Sequence, residues 1–238
     1  MAGNCSEEFV IRFTTSAKED GGPVRHWHGL LGYWDLDKGF GDVAPDQSGN
    51  DHNGRLINDA VWVDGKFGHA VELREDGKIV VPHADSLNTP DSLTLMFWLL
   101  PDSLKGSIIS KTGAYQVSFM NGQIVWIQQG QPMLRTPQLK KLEWTHVAFT
   151  FDGNTLKAYL NGELVSTRDL PLPLPVSDND LVMGGDGFRG ILDEISLWDQ
   201  ALTHQEISKT LNGLLSLWSV NRYGKIPIIW GDAKSWKR

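Results

Sequence analysis

The sequence predicts an all-β, two-sheet antiparallel sandwich with one short C-terminal helix, and three observations carry that prediction. Short apolar runs alternate with turn residues at the spacing of an all-β domain. Asn121-Gly122 and Asn161-Gly162 separate alternating runs, and Asn-Gly is the favoured two-residue hairpin turn because both of its residues need positive φ. Thr203 and Glu206 make a Thr-x-x-Glu capping box ahead of a stop at Gly213, the signature of a single short helix.

The elements follow in order. Residues 9–13 hold one possible strand in an otherwise loop-like start. Residues 93–100 are almost continuously apolar and predict a central strand buried on both faces. Residues 115–120 and 123–129 flank Asn121-Gly122, and that turn pairs Phe119 with Ile124, Val117 with Trp126 and Tyr115 with Gln128. One face of this hairpin is then apolar, while the other carries Gln116, Ser118, Gln123 and Gln129 among Met120, Val125 and Ile127. Residues 144–151, 155–160 and 163–167, joined by Gly-containing turns, predict a meander. Alternating Leu and Pro over 170–175 predict a stiff, extended connector. Residues 190–198 form the last strong strand.

Composition limits the function classes. A chain of 238 residues fits one large β domain that needs no cross-link, and Cys5, the only cysteine, could not make one internally. No apolar run approaches the ~20 residues of a membrane-spanning helix. Met1-Ala2-Gly3-Asn4 lacks the basic-then-apolar pattern of a signal peptide, which predicts a leaderless chain or one written in mature form. The net charge of −7 argues against nucleic-acid binding. That charge is uneven, since residues 214–238 carry five basic side chains against the single acid Asp232. Such a tail, with Trp218, Trp230 and Trp236, is suited to docking on the acidic body or on a partner.

The order of motifs is more specific than any one of them. Leu31-Gly-Tyr-Trp-Asp-Leu-Asp37, Gly39-Phe-Gly41, Asp46-Gln-Ser-Gly-Asn50 and Gly54 are followed by Val63-Asp-Gly-Lys-Phe-Gly-His-Ala70. Phe97-Trp98, Trp144-Thr-His-Val-Ala148, Asp152-Gly153 and Tyr159-Leu-Asn-Gly162 come next, then Phe188-Arg-Gly-Ile-Leu-Asp-Glu-Ile195 and Ala201-Leu202. This succession resembles the laminin G-like jelly-roll domains of the concanavalin A-like lectin/glucanase superfamily. The resemblance covers residues 30–212, leaving an N-terminal extension at 1–29 and a basic, Trp-containing tail at 213–238. It implies a concanavalin A-like jelly roll, an extracellular or cell-surface setting and a bound calcium ion.

Five aspartates (Asp35, Asp37, Asp42, Asp46, Asp51) crowd into 17 residues, with Ser48 and Asn50 among them and Asn53 just beyond. Calcium takes six to eight oxygen ligands, which carboxylates and loop carbonyls can supply. The resemblance implies an ion between this loop and the final strand, with Asp46, Asp193, Asn50 and Asp37 as side-chain ligands. Lys38 departs from the family pattern, in which that position is often acidic. A solvated acidic loop in which Asp46 and Asn50 make turns is the other reading of these residues.

The glucanase branch of the superfamily carries a Glu-x-Asp-x-Glu strand whose carboxylates do the chemistry. Here Glu194-Ile-Ser-Leu-Trp198 replaces the second and third acids with Ser196 and Trp198, which argues against a glycoside hydrolase. There is no Gly-x-Ser-x-Gly elbow and no phosphate-binding glycine loop. His26-Trp-His28 lacks a third metal ligand at diagnostic spacing. His146, on an alternating strand, reads as a β-strand residue rather than a base. Trp34, Trp98 and Trp144 fall at family core positions. No catalytic residue is predicted.

The prediction is therefore a non-catalytic, calcium-stabilised carbohydrate-binding or adhesive module, with Gln116, Ser118 and Gln129 as ligand contacts. Its partner is a glycan or an extracellular protein. The alternative is a structural or protein-interaction domain that assembles through its C-terminal tail, with a glycoside hydrolase ranked third.

Overall fold

The computed structural model describes residues 13–17 and 23–214. The chain opens with a hairpin of β1 (Phe13–Ala17) and β2 (Pro23–Trp27), then runs through β3 (Leu30–Trp34), β4 (Val43–Ala44), β5 (Gly54–Ile57) and β6 (Ala60–Asp64). Next come β7 (His69–Leu73), β8 (Lys78–Val81), β9 (Leu93–Pro101), β10 (Gly106–Lys111), β11 (Tyr115–Met120) and β12 (Gln123–Gln128). It finishes with β13 (Gln131–Gln138), β14 (Thr145–Phe151), β15 (Thr155–Leu160), β16 (Glu163–Asp169), β17 (Leu181–Met183), β18 (Gly190–Trp198) and α1 (His204–Thr210).

Two antiparallel sheets pack face to face. Sheet I has the order β13-β12-β11-β10-β17-β8-β5-β4. Sheet II has the order β16-β15-β14-β9-β18-β7-β6, with β3 also pairing with β18. This is the jelly-roll sandwich the sequence predicts. The hairpin of β11 and β12 has the predicted register, Val117 opposite Trp126 and Phe119 opposite Ile124. Its turn residues Asn121 and Gly122 sit at φ of 54° and 79°, as the tight turn demands.

Alternation along the strands sends one set of side chains into the space between the sheets. Trp34, Phe97, Trp126, Phe149, Phe151 and Phe188 fill it, all fully buried. Trp126 stacks on Tyr115 with centroids 4.9 Å apart and meets the Phe149 ring at 5.4 Å. Its truncation to alanine would cost about 3–5 kcal/mol. The connector over 170–175 belongs to this core too: Leu170 and Leu174 are buried in it while Leu172 points outward.

A second, smaller apolar cluster lies on the outer face of sheet II, where α1 brings Leu202, Ile207 and Leu214 against Tyr33, Met96, Tyr159 and Trp198. The helix begins as predicted: Thr203 is the N-cap, its side chain accepts from Glu206 N, and Glu206 returns a bond to the Thr203 backbone. Gly213, at φ 86°, lets the chain turn out of the helix.

Four expectations meet a different outcome or none. Trp144 is half-buried at the entry to β14 rather than in the core. Trp98 is buried, but on the outer face of sheet II beneath a loop. The possible strand at 9–13 and the tail beyond residue 214 fall outside the described residues, apart from Phe13 at the start of β1. No helix of the described residues is long and apolar enough to cross a membrane.

Candidate functional site

The outer face of sheet I carries a groove of about 340 Å³, in the size range of small-ligand sites. It crosses β10, β11 and β12. Register explains its lining: Ser110 lies opposite Gln116, and Gln116 opposite Ile127, so three neighbouring strands send these side chains outward together. Thr112 and Gly113 from the β10–β11 turn, Gln129 and Gly130 from the β12–β13 turn, and Asp186 from the loop before β18 enclose it. Ile127 supplies an apolar floor; the amides, hydroxyls and carboxylate supply donors and acceptors.

Of the three ligand contacts predicted from sequence, Gln116 and Gln129 line this groove and Ser118 does not. Ser118 faces the same way as Gln116 but is buried, and its Oγ has no hydrogen-bond partner. Sequence reasoning missed Asp186, Ser110 and Thr112. A β11–β12 hairpin gives no signal that a loop some 60 residues further on, Gly184-Gly-Asp-Gly187, brings Asp186 to its groove.

A second constellation sits where β18 changes partners. Residues 190–192 of β18 pair with β7, whereas residues 195–198 pair with β3. Between them is a bulge: the register against β9 jumps from Asp193↔Trp98 to Ser196↔Met96, so Glu194 and Ile195 together oppose Phe97. Glu194 takes φ 51° to make the bend. The bulge buries two successive carboxylates. Asp193 Oδ2 accepts a 3.0 Å bond from Phe67 N, while Asp193 Oδ1 has no partner. Burial, with the nearby Glu194 charge assisting, pushes the Asp193 carboxyl up to about 7. Burial also raises Glu194, against the lowering effect of bonds from Tyr33 Oη and Leu214 N.

The loop that donates to Asp193 is held from its other end as well. Asp37 Oδ1 accepts from His69 N at 2.8 Å. Gly68 lies between, at φ 47°, where an added Cβ would come within 1.9 Å of Asp37 Oδ1. The clamped loop in turn roofs Trp98: Lys66 Nζ stands 4.5 Å from its ring centroid and Phe67 meets it edge-on. His146, on the next strand, packs against the same ring at 5.4 Å, and burial pushes its imidazole down to about 4.

The four residues assigned to calcium therefore divide into two pairs. Asp37 and Asp193 clasp the loop at 65–69. Asp46 and Asn50 stand against β3 instead. Asp46 accepts four bonds, from Tyr33 N and Ser48 N at Oδ1 and from Ser48 Oγ and His52 N at Oδ2. Asn50 Nδ2 donates to Leu30 O and Leu31 O. Four donors occupy the lone-pair directions of one carboxylate, so Asp46 is the hub of a turn. Among the described residues no group of three or more His, Cys, Asp or Glu side chains is arranged to hold a metal ion.

The rest of the β18 motif faces α1. Ser196 Oγ accepts from Trp198 Nε1 at 3.1 Å, and Trp198 is fully buried. A family model for the concanavalin A-like lectin/glucanases superfamily, of laminin G type, matches residues 73–208. The chain belongs to that superfamily. Mouse (Mus musculus) pappalysin-1 is 28% identical over 152 residues, covering 49% of this chain and 9% of that protein. The laminin G-like chain thus spans less than a tenth of the length of the curated relatives it matches.

Two solved structures share the laminin G-like architecture at low identity. The binding domain of Paraclostridial Mosquitocidal Protein 1 superposes with a TM-score of 0.66 at 18% identity, covering 77% of this chain and 52% of that one. Domain 4 of AbnA, a GH43 extracellular arabinanase from Geobacillus stearothermophilus solved with arabinotriose, gives 0.61 at 20% identity, covering 76% and 97%.

Proposed function

We propose that this chain is a non-catalytic carbohydrate-binding module that works outside the cell and takes its glycan in the groove of sheet I. The observation that carries the reading is the pairing of Gln116 and Gln129 on the walls of one cavity with Ser110, Thr112 and Asp186. Amides, hydroxyls and a carboxylate at an aliphatic floor are suited to sugar hydroxyls and ring C–H faces. Support comes from the solved relatives, one a binding domain and the other bound to arabinotriose. The extracellular setting draws on the arabinanase and on the superfamily.

The non-catalytic part rests on β18. Glu194 is buried and already accepts two hydrogen bonds, and Ser196 and Trp198 replace acids on a face covered by α1. A calcium ion is part of the proposal in reduced form. Asp193, whose buried Oδ1 lacks a partner, and Asp37 would hold it with loop carbonyls, and it would fasten the loop at 65–69 to β18.

A glycan array, probed with the wild-type chain and with Gln116→Ala and Gln129→Ala, tests the function. Binding to some glycans that either substitution weakens about tenfold or more supports it. A blank array, or binding indifferent to both substitutions, overturns it.

A further inference from the structure

Gln116 belongs to a longer line of side chains. Ladder partners carry the outward row from Ile127 and Gln116 through Ser110 to Val182, Val80, Arg55 and Val43. The row thus crosses β12, β11, β10, β17, β8, β5 and β4, and its members are half-buried or exposed. At its far end lies a second cavity of about 410 Å³, lined by Val43, Asn53, Arg55, Ile57, Val80 and Pro82. The two cavities share one face of one sheet, with Val182 between them. Five strand steps separate β5 from β12, which at ~4.8 Å per step is ~24 Å.

Resting on the carbohydrate reading above, we infer that the ligand is a linear, uncharged oligosaccharide that runs perpendicular to the strands from the Gln116–Gln129 groove to the Arg55–Val80 cavity. Three features converge on it. The middle of the row is aliphatic (Val80, Val182), a surface for ring C–H groups, while Gln116 and Ser110 on one side of it and Arg55 on the other carry hydrogen-bonding groups. No aromatic ring stands in the row, and Tyr115 beside the near groove is buried against Trp126, so affinity has to accumulate along the chain. The charges disfavour acidic sugars: Asp186 sits in the near wall, and Arg55, the one base of the row, faces Asp42 at 3.6 Å.

The experiment is calorimetric titration with length series of arabino-, cello- and malto-oligosaccharides, from disaccharide to hexasaccharide, and with oligogalacturonides as the anionic series. At least one neutral series binds about tenfold or more tightly at hexasaccharide than at disaccharide length. That affinity does not change with added salt, and the oligogalacturonides do not bind. Arg55→Ala, at an exposed position, removes the gain for the long ligand and leaves the short one unchanged, whereas Gln116→Ala weakens both. Glycans bound on the array with no length dependence, or with acidic oligosaccharides preferred, overturn this inference and leave the carbohydrate function standing. A blank array overturns both.

Discussion

Tyr33 Oη donates a 2.7 Å hydrogen bond to Glu194 Oε2, joining β3 to the bulge of β18 across 161 residues of sequence. Both groups are buried, and burial raises the pKa of each. The carboxylate also takes Leu214 N, so one side chain ties together the first strand of sheet II, its last strand and the segment after α1. Tyr33→Phe leaves that carboxylate one donor short and should cost about 1–3 kcal/mol in urea unfolding. A double-mutant cycle with Glu194→Gln checks the pairing, and a coupling energy of zero would refute it.

Gly68 should not tolerate a side chain. Its left-handed φ alone costs alanine about 1–2 kcal/mol, and the Cβ would collide with the Asp37 carboxylate. Gly68→Ala should therefore lower the melting temperature, and Asp37→Ala in the same chain should recover part of the loss. No recovery would mean that Asp37 does not clamp this loop.

Acid should destabilise the fold through His146. Burial holds its folded pKa at about 4, below the ordinary imidazole value of 6.5, so between those values the unfolded chain binds the extra proton and the folded chain does not. The contribution is intact above pH 6.5 and is lost as pH falls toward 4, by about 3 kcal/mol in all. His146→Gln should remove that slope. The check is the difference in unfolding free energy between the two chains across this window; a flat difference refutes it.

Calcium should raise the melting temperature of the wild-type chain, and chelator should reverse the rise. Asp193→Asn should abolish the shift. Asp46→Asn should lower the melting temperature equally with and without calcium, because its carboxylate serves backbone donors. If Asp46→Asn removes the calcium response while Asp193→Asn preserves it, the assignment is reversed.

Local chemistry made much of the fold legible. The β11–β12 register follows from Asn121-Gly122, and the start of α1 follows from Thr203 and Glu206, since turns and caps are decided within a few residues. β13 was not legible, because Pro132 and Pro137 argue against a strand; its place at the edge of sheet I is where prolines are tolerated. The β12–β13 turn uses Gln129-Gly130 at φ 49° and 73°, an Asn-Gly geometry without the Asn. In the candidate site, Gln116 could be found from alternation, but Asp186 reaches the groove only through tertiary folding. Asp46 shows the limit most clearly. An aspartate that caps a turn and one that binds calcium look alike in sequence, and the donors from Tyr33 and His52 that gather on Asp46 come into place only once the loop is folded.

The fork in β18 has a consequence for how the domain is made. β3 begins at residue 30, yet among the strands of the sandwich it pairs only with β18, which ends at residue 198. Until residue 198 has been made an emerging β3 has no ladder to join, and sheet II cannot close until β18 has left the ribosome. Such long-range pairing makes for slow, late-committing folding. The unpaired β3 is then the segment most in need of protection while the strands that follow are still arriving.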